Sequence, residues 1–63
     1  MVTNNVIGTW IAQRNIEFKD LSVSAGEEFN VVEKLGNGEV KIRKDQIETT
    51  TKLSLLQVTA EKK

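Results

Sequence analysis

Four carboxylates near one another in the sequence, Asp20, Glu27, Glu28 and Glu33, are the first residues of this 63-residue chain that could do chemistry. Such a cluster could serve acid-base catalysis, which in glycosidases needs two carboxylates held across a substrate cleft, or it could bind a metal ion. The chain has no His, Cys or Tyr to complete a catalytic set. We therefore expect turn and surface acids, with no metal, no cofactor and no enzymatic activity.

A short basic cluster, Lys41, Arg43 and Lys44, is the second candidate site. Alternation along a strand places Lys41 and Arg43 on one outer face, where they could contact a phosphate or RNA. However, nine basic residues balance nine acidic ones, and no aromatic residue adjoins the cluster for base stacking. A solvated strand face is the favoured interpretation, and nucleic-acid binding is the less favoured alternative.

Two further motifs also have simpler structural interpretations. Gly36-Asn37-Gly38 resembles a piece of a phosphate-binding loop, but no helix N-terminus is expected after it. Asn-Gly readily takes the positive φ angles of a type I′ turn, so a hairpin is favoured. The three threonines at 49–51 could be phosphorylated, but β-branched residues favour a strand.

Length and composition limit the class of protein. A chain of 63 residues forms one domain with a small core, and its stability is expected to be about 3–9 kcal/mol. Small secreted domains usually depend on disulfides or metals, so the absence of Cys and His favours a reducing compartment, with the cytoplasm as the default. No apolar run has the length of a signal peptide or membrane span.

The elements that would position these residues follow a period of two. Apolar residues flank a single polar residue three times along the chain, at Leu21/Val23, Phe29/Val31 and Val40/Ile42. This spacing predicts antiparallel strands with one buried face. A hairpin joining residues 29–34 to residues 39–43 follows, with Gly36-Asn37-Gly38 as its turn.

The remaining segments are less regular. We predict a turn at residues 44–46, a strand around 47–51, then a short 3₁₀ turn and a final strand through Leu53, Leu56 and Val58. Residues 13–19 are predicted to form a loop in which Ile16 or Phe18 folds back as an anchor. Residues 1–5 and 60–63 are predicted to be frayed ends.

Five strands in so short a chain cannot build two sheets of ordinary width. The predicted fold is therefore all-β, a small, strongly bent five-stranded barrel that forms one domain over residues 1–63.

The sequence around Ala25-Gly26-Glu27 is similar to the diverging turn of Src homology 3 (SH3) domains. In residues 20–34, an acidic-Leu-Ser-hydrophobic run is followed by a Gly-acid turn and a second strand. The resemblance extends by pattern from about Ile7 to Thr59. It implies an SH3-like barrel in which residues 14–19 form the RT loop, 35–38 the n-Src loop and 44–46 the distal hairpin.

The positions of the family's peptide groove differ from the family pattern. Where the resemblance implies two tyrosines, a tryptophan, a proline and a last tyrosine, this chain has Ile11, Gln13, Glu39, Lys52 and Leu55. The acidic character of the RT loop remains at Glu17 and Asp20. The resemblance therefore implies the scaffold without ordinary recognition of Pro-x-x-Pro peptides.

The expected function is that of a non-catalytic protein-interaction module of a larger cytoplasmic signalling or scaffold protein. It would dock on another protein or on a neighbouring domain of its own chain, without insertion into a membrane. The residues expected to form the contact are Trp10, Glu17, Phe18, Asp20, Glu39, Lys52 and Leu55. Trp10 is included as a possible contact anchor, although burial in the small core is its favoured role.

Two other readings of the chain stay open. A small barrel that binds nucleic acid or sits in a ribonucleoprotein would show an aromatic or basic surface. A designed barrel without a natural ligand is the third reading, which the irregular surface and isolated aliphatic residues disfavour.

Overall fold

The structure, a computed structural model, describes residues 6–63. These residues form a mostly β protein, as the alternating pattern predicts. The elements in chain order are β1 (Gly8–Ala12), β2 (Ile16–Glu17), β3 (Ser22–Val23), β4 (Glu28–Lys34), β5 (Glu39–Lys44), β6 (Ile47–Lys52), α1 (Leu53–Thr59) and β7 (Ala60–Lys62).

Five of the strands form one antiparallel sheet in the order β6-β5-β4-β1-β7. The registers place Trp10 opposite Phe29, Val31 opposite Ile42 and Ala12 opposite Ala60, so apolar residues meet on one face. The predicted five-stranded antiparallel arrangement is confirmed. β2 and β3 form a separate two-stranded sheet, with Ile16 opposite Val23.

Two tight turns connect β4, β5 and β6. In the first, Asn37 and Gly38 have φ values of 66° and 73°, and the Glu39 amide donates to the Gly36 carbonyl at 3.3 Å. Two central residues at positive φ are what a type I′ turn requires, so the Asn-Gly hairpin is confirmed. In the second, Asp45 and Gln46 take φ values of 53° and 72°.

The segment between β1 and β4 is anchored to the core at two points. Sequence reasoning expected a loop with Ile16 or Phe18 as the anchor, and both side chains are buried. The ring of Phe18 meets that of Phe29 edge to face, with centroids 5.9 Å apart. The expected loop therefore contains β2, because pairing Ile16 with Val23 directs two apolar side chains into the core.

The C-terminal part of the chain corrects two predictions. Residues 53–59 form the helix α1, where a 3₁₀ turn and a strand were expected. Leu56 and Thr59 are buried and Leu53 is partly buried, a spacing of three that places them on one side of a helix. The Thr59 hydroxyl also donates to the Leu55 carbonyl at 2.6 Å.

The predicted frayed end at 60–63 is also wrong. Residues 60–62 form β7 alongside β1, and the amide of Lys63 donates to the carbonyl of Thr9 at 2.9 Å. Ala60 is buried opposite Ala12, and pairing with β1 holds the strand despite its charged neighbours. Residues 1–5, the other predicted frayed end, lie outside the described residues.

Candidate functional site

A tight turn between β2 and β3 forms the most prominent surface feature. The Phe18 amide donates to the carbonyl of Leu21 at 2.8 Å, which closes the turn over residues 18–21. Phe18 is buried and Leu21 partly buried, while Lys19 and Asp20 between them are exposed. The turn therefore exposes one basic and one acidic side chain, and the apolar side chains of Phe18 and Leu21 anchor it to the core.

A depression of about 280 Å³ lies on one side of this turn. It is lined by residues from the turn and from the outer hairpin: Lys19, Asp20, Lys41, Glu48, Thr49 and Thr50. Thr49 is only 6% exposed, and its Oγ1 has no hydrogen-bond partner among residues 6–63. An unsatisfied buried hydroxyl costs stability, and because Oγ1 is itself closed off from solvent, that cost belongs to the fold of β6.

A second depression, of about 390 Å³, lies on the other side of the turn. It is lined by Glu17, Phe18, Asp20, Leu21 and Ser22. Asp20 belongs to both depressions, so the two are adjacent. We call the residues that line them, together, the tip surface.

The tip surface carries charges of both signs. Lys41 lies 3.5 Å from Glu33, an ion pair on the exposed face of the sheet. Among residues 6–63, Glu17, Lys19, Asp20 and Glu48 are within 4 Å of no opposite charge. These four charges remain available to a partner, and their mixed sign suits a polar protein surface better than a polyanion.

Three of the seven residues expected to form the contact lie at the tip surface. Glu17 and Asp20 are exposed there. Phe18 lines the second depression, but its side chain is 9% exposed and mainly supports the turn. Sequence reasoning therefore did not distinguish the exposed acids of this loop from the buried ring that supports it.

The other four expected residues lie elsewhere. Trp10 is 5% exposed in β1, and its Nε1 donates to the carbonyl of Val6 at 2.8 Å. Trp10 is therefore buried, which is the role that the sequence analysis favoured. Glu39 and Lys52 are directly opposite each other where β5 begins and β6 ends. Leu55 is exposed on α1. Neither depression of the tip surface includes these residues.

Several residues of the tip surface were not expected. Lys41 was assigned to a solvated face, and the threonines at 49–51 were assigned only to a strand. Alternation does predict that Thr49 shares the inner face with its partner Ile42. It does not predict that the turn at 18–21 lies over this position, because that contact depends on how the chain folds back.

Comparisons with known proteins give no further assignment: no family model, curated protein or solved structure matches this chain. Within residues 6–63, no helix is long and apolar enough to cross a membrane. The same residues contain no group of three or more acidic side chains placed to hold a metal ion.

Proposed function

We propose that this chain is a non-catalytic protein-recognition domain with an SH3-like barrel fold that binds its partner through the tip surface. It would act within a larger cytoplasmic signalling or scaffold protein and dock on another protein or on a neighbouring domain. The contacts would combine mixed charges with small aliphatic patches. They would not include an aromatic groove for proline-rich peptides.

The arrangement of the elements supports the barrel. The segment that the SH3 resemblance assigns to the RT loop folds back as the β2-β3 hairpin between β1 and β4. The turns that it assigns to the n-Src loop and distal hairpin connect β4 to β5 and β5 to β6. β1 pairs with both β4 and the last strand, β7, so the first and last strands lie side by side in the sheet.

Protein recognition fits the surface better than the nucleic-acid alternative. The chain has three aromatic residues, Trp10, Phe18 and Phe29, and all are buried. Single-stranded nucleic acids stack their bases on exposed aromatic rings, and phosphates need a basic excess. This surface offers neither of these features.

The observation that carries the proposal is the set of exposed charges at the tip surface that have no opposite charge within 4 Å among residues 6–63: Glu17, Lys19, Asp20 and Glu48. Complementary charges on a partner would meet them, and a partner with the wrong charge pattern would be rejected. Asp20 and Lys19 at the rim would orient the partner by charge.

The test is a titration of the ¹⁵N-labelled chain with a panel of candidate partner domains, followed by NMR. We expect shift changes in the amides of residues 17–22 and 48–50. Asp20→Lys should weaken binding by at least about tenfold, because it places a like charge where the partner carries a complementary one. Glu61→Lys is the matched control, since Glu61 is an exposed acid on β7.

The proposal is wrong if no partner in the panel shifts any resonance, or if the shifts cluster on α1 and β7. It is also wrong if Asp20→Lys and Glu61→Lys weaken binding equally, because that would indicate a response to net charge alone.

A further inference from the structure

The outer edge of the sheet at β6 has a defined set of free backbone groups. The Leu53 amide donates to the carbonyl of Gly38 at 2.9 Å, and these two residues continue the register in which Lys52 faces Glu39. Backbone groups of an antiparallel pair alternate between pointing toward and away from the neighbouring strand. Ile47, Thr49 and Thr51 therefore bond to β5, and the residues between them direct their N–H and C=O groups outward.

The outward residues are Glu48, Thr50 and Lys52. Their side chains share one face of the sheet and all are exposed. Among the described residues no backbone group bonds to this edge, and no opposite charge lies within 4 Å of Glu48 or Lys52. The edge thus carries an acid, a central β-branched hydroxyl residue and a base at equal spacing.

This spacing is self-complementary under a two-fold axis. When two identical strands pair antiparallel with the axis at one residue, that residue faces its own copy. With the axis at Thr50, each Glu48 faces Lys52 of the other copy, and all three outward residues enter hydrogen-bonded pairs. With the axis at Thr49, Glu48 faces Thr50, and with the axis at Thr51 it faces Ser54. In neither register does Glu48 face a lysine.

We propose that two copies of this chain pair antiparallel through β6, with Thr50 facing Thr50 and Glu48 facing Lys52 across the two-fold axis. Cross-strand Thr-Thr and opposite-charge pairs are favourable in antiparallel sheets. The two sheets would join into one continuous sheet. The interface is one short strand per copy, so the dimer is weak and forms at high local concentration.

Charged residues on an edge strand usually oppose such pairing. They do so when like charges meet or when a charge is left without a partner. Here the register with the axis at Thr50 forms backbone hydrogen bonds at Glu48, Thr50 and Lys52. The same register places each Glu48 opposite a Lys52. In the shifted registers the same charges face uncharged residues and stay unpaired, so they favour this register.

The dimer also has a consequence for the tip surface. Glu48 and Thr50 line the depression beside the turn at residues 18–21. The two-fold axis at Thr50 therefore brings the depressions of both copies next to each other. The inference does not depend on the proposed function, but a dimer would offer two adjacent sites to a bivalent partner.

The first experiment is sedimentation velocity of the full chain from about 20 µM to about 1 mM, a range suited to weak interfaces. We expect the wild type to shift from monomer toward dimer. Glu48→Lys and Lys52→Glu should each raise the dimer dissociation constant at least about tenfold, because each brings two like-charged pairs together. Thermal unfolding of each variant checks that it is folded.

The decisive step mixes the two variants. In a mixed pair, the Glu48→Lys copy carries two lysines that face two glutamates on the Lys52→Glu copy, so the equimolar mixture should dimerise again. The double variant, which carries both substitutions, should dimerise with itself. Thr50→Pro removes the central outward N–H while leaving the ladder to β5 intact, and it should abolish both the wild-type dimer and its concentration-dependent amide shifts.

A wild type that stays monomeric at about 1 mM overturns the proposal. So do single-charge variants that dimerise as well as wild type, or a variant mixture that stays monomeric although both proteins are folded. A dimer that survives Thr50→Pro would place the contact on another surface.

Discussion

β5 has two neighbours in the sheet, and these two strands differ in nearly every property. β4 buries Phe29 and Val31 against the core. β6 buries no apolar side chain, and its single buried residue is Thr49. β4 is paired on both sides, whereas β6 is the edge of the sheet. The comparison separates a strand that stabilises the fold from one that leaves polar side chains and backbone groups exposed.

The same division holds beyond these two strands. The two anchors of the folded-back segment, Ile16 and Phe18, pack into the core that β4 helps to build. The exposed end of that segment, Lys19 and Asp20, instead lies beside β6. In a domain this small, most apolar surface is needed for stability, so the proposed contact surface consists mainly of polar groups.

The largest expected effect on stability comes from removing the side chain of Phe29. Phe29→Ala should destabilise the domain by about 3–5 kcal/mol, because it removes a buried ring and leaves a cavity. That loss is close to the whole stability expected for 63 residues, so much of the protein should be unfolded. Urea unfolding followed by fluorescence of the buried Trp10 measures it.

The matched control lies on β6. Ile47 is 45% exposed, so Ile47→Ala should change stability by no more than about 0.5 kcal/mol. Similar losses for the two substitutions would contradict the division between the two strands.

The sequence predicts β4 better than it predicts β6. Phe29 and Val31 flank a polar residue, and this alternation correctly predicts a strand with one buried face. In β6, three consecutive threonines predict a strand but do not indicate which of them is buried. The helix α1 was missed because its leucines fit both a period of two and a helical turn. The final strand was missed because it depends on long-range pairing with β1.

Replacing the buried Thr49 of β6 with an apolar residue, the type that β4 buries, should stabilise the domain. Thr49→Val removes the unpartnered Oγ1, so it should raise the free energy of unfolding by about 1 kcal/mol. Thr50→Val, at an exposed position of the same strand, is the control and should change stability little. Destabilisation by Thr49→Val would mean that the hydroxyl contributes a favourable interaction.

In the two turns that flank β5, the residues at positions 38 and 46 can be exchanged with little change of backbone conformation. Gly38 in the first turn and Gln46 in the second have almost the same φ, 73° and 72°. A Cβ at Gly38 would meet nothing within 4 Å, so Gly38→Gln should lose about 1–2 kcal/mol through backbone strain alone. Gln46→Gly should gain about 0.5 kcal/mol, because relief of strain is partly offset by the greater freedom of glycine in the unfolded chain.

Chemical denaturation of the two single variants and of the double variant measures this exchange. The turns share only β5, so the effects should add to within about 0.5 kcal/mol. A loss of stability in Gln46→Gly would mean that the Gln46 side chain contributes to the second turn. Neither substitution alters Lys44, the last residue of β5. Its hydrogen bond to Asp45, with Glu27 nearby, raises the pKa of Lys44 above the usual value.

The smallest expected effect on stability comes from neutralising the acidic residues of β4 and β6 that face β5. Glu33 on β4 faces Lys41 and lies 3.5 Å from it, whereas Glu48 on β6 faces Arg43 without an ion pair within 4 Å. Because the first pair is exposed, Glu33→Gln should lower stability by only about 0.5 kcal/mol, and less at high salt. Glu48→Gln should leave the stability of the monomer unchanged and weaken only its self-association. Urea unfolding in dilute protein and sedimentation at high concentration measure the two effects separately. A larger loss of monomer stability from Glu48→Gln than from Glu33→Gln would mean that the edge charge serves the fold, and β6 would then resemble β4.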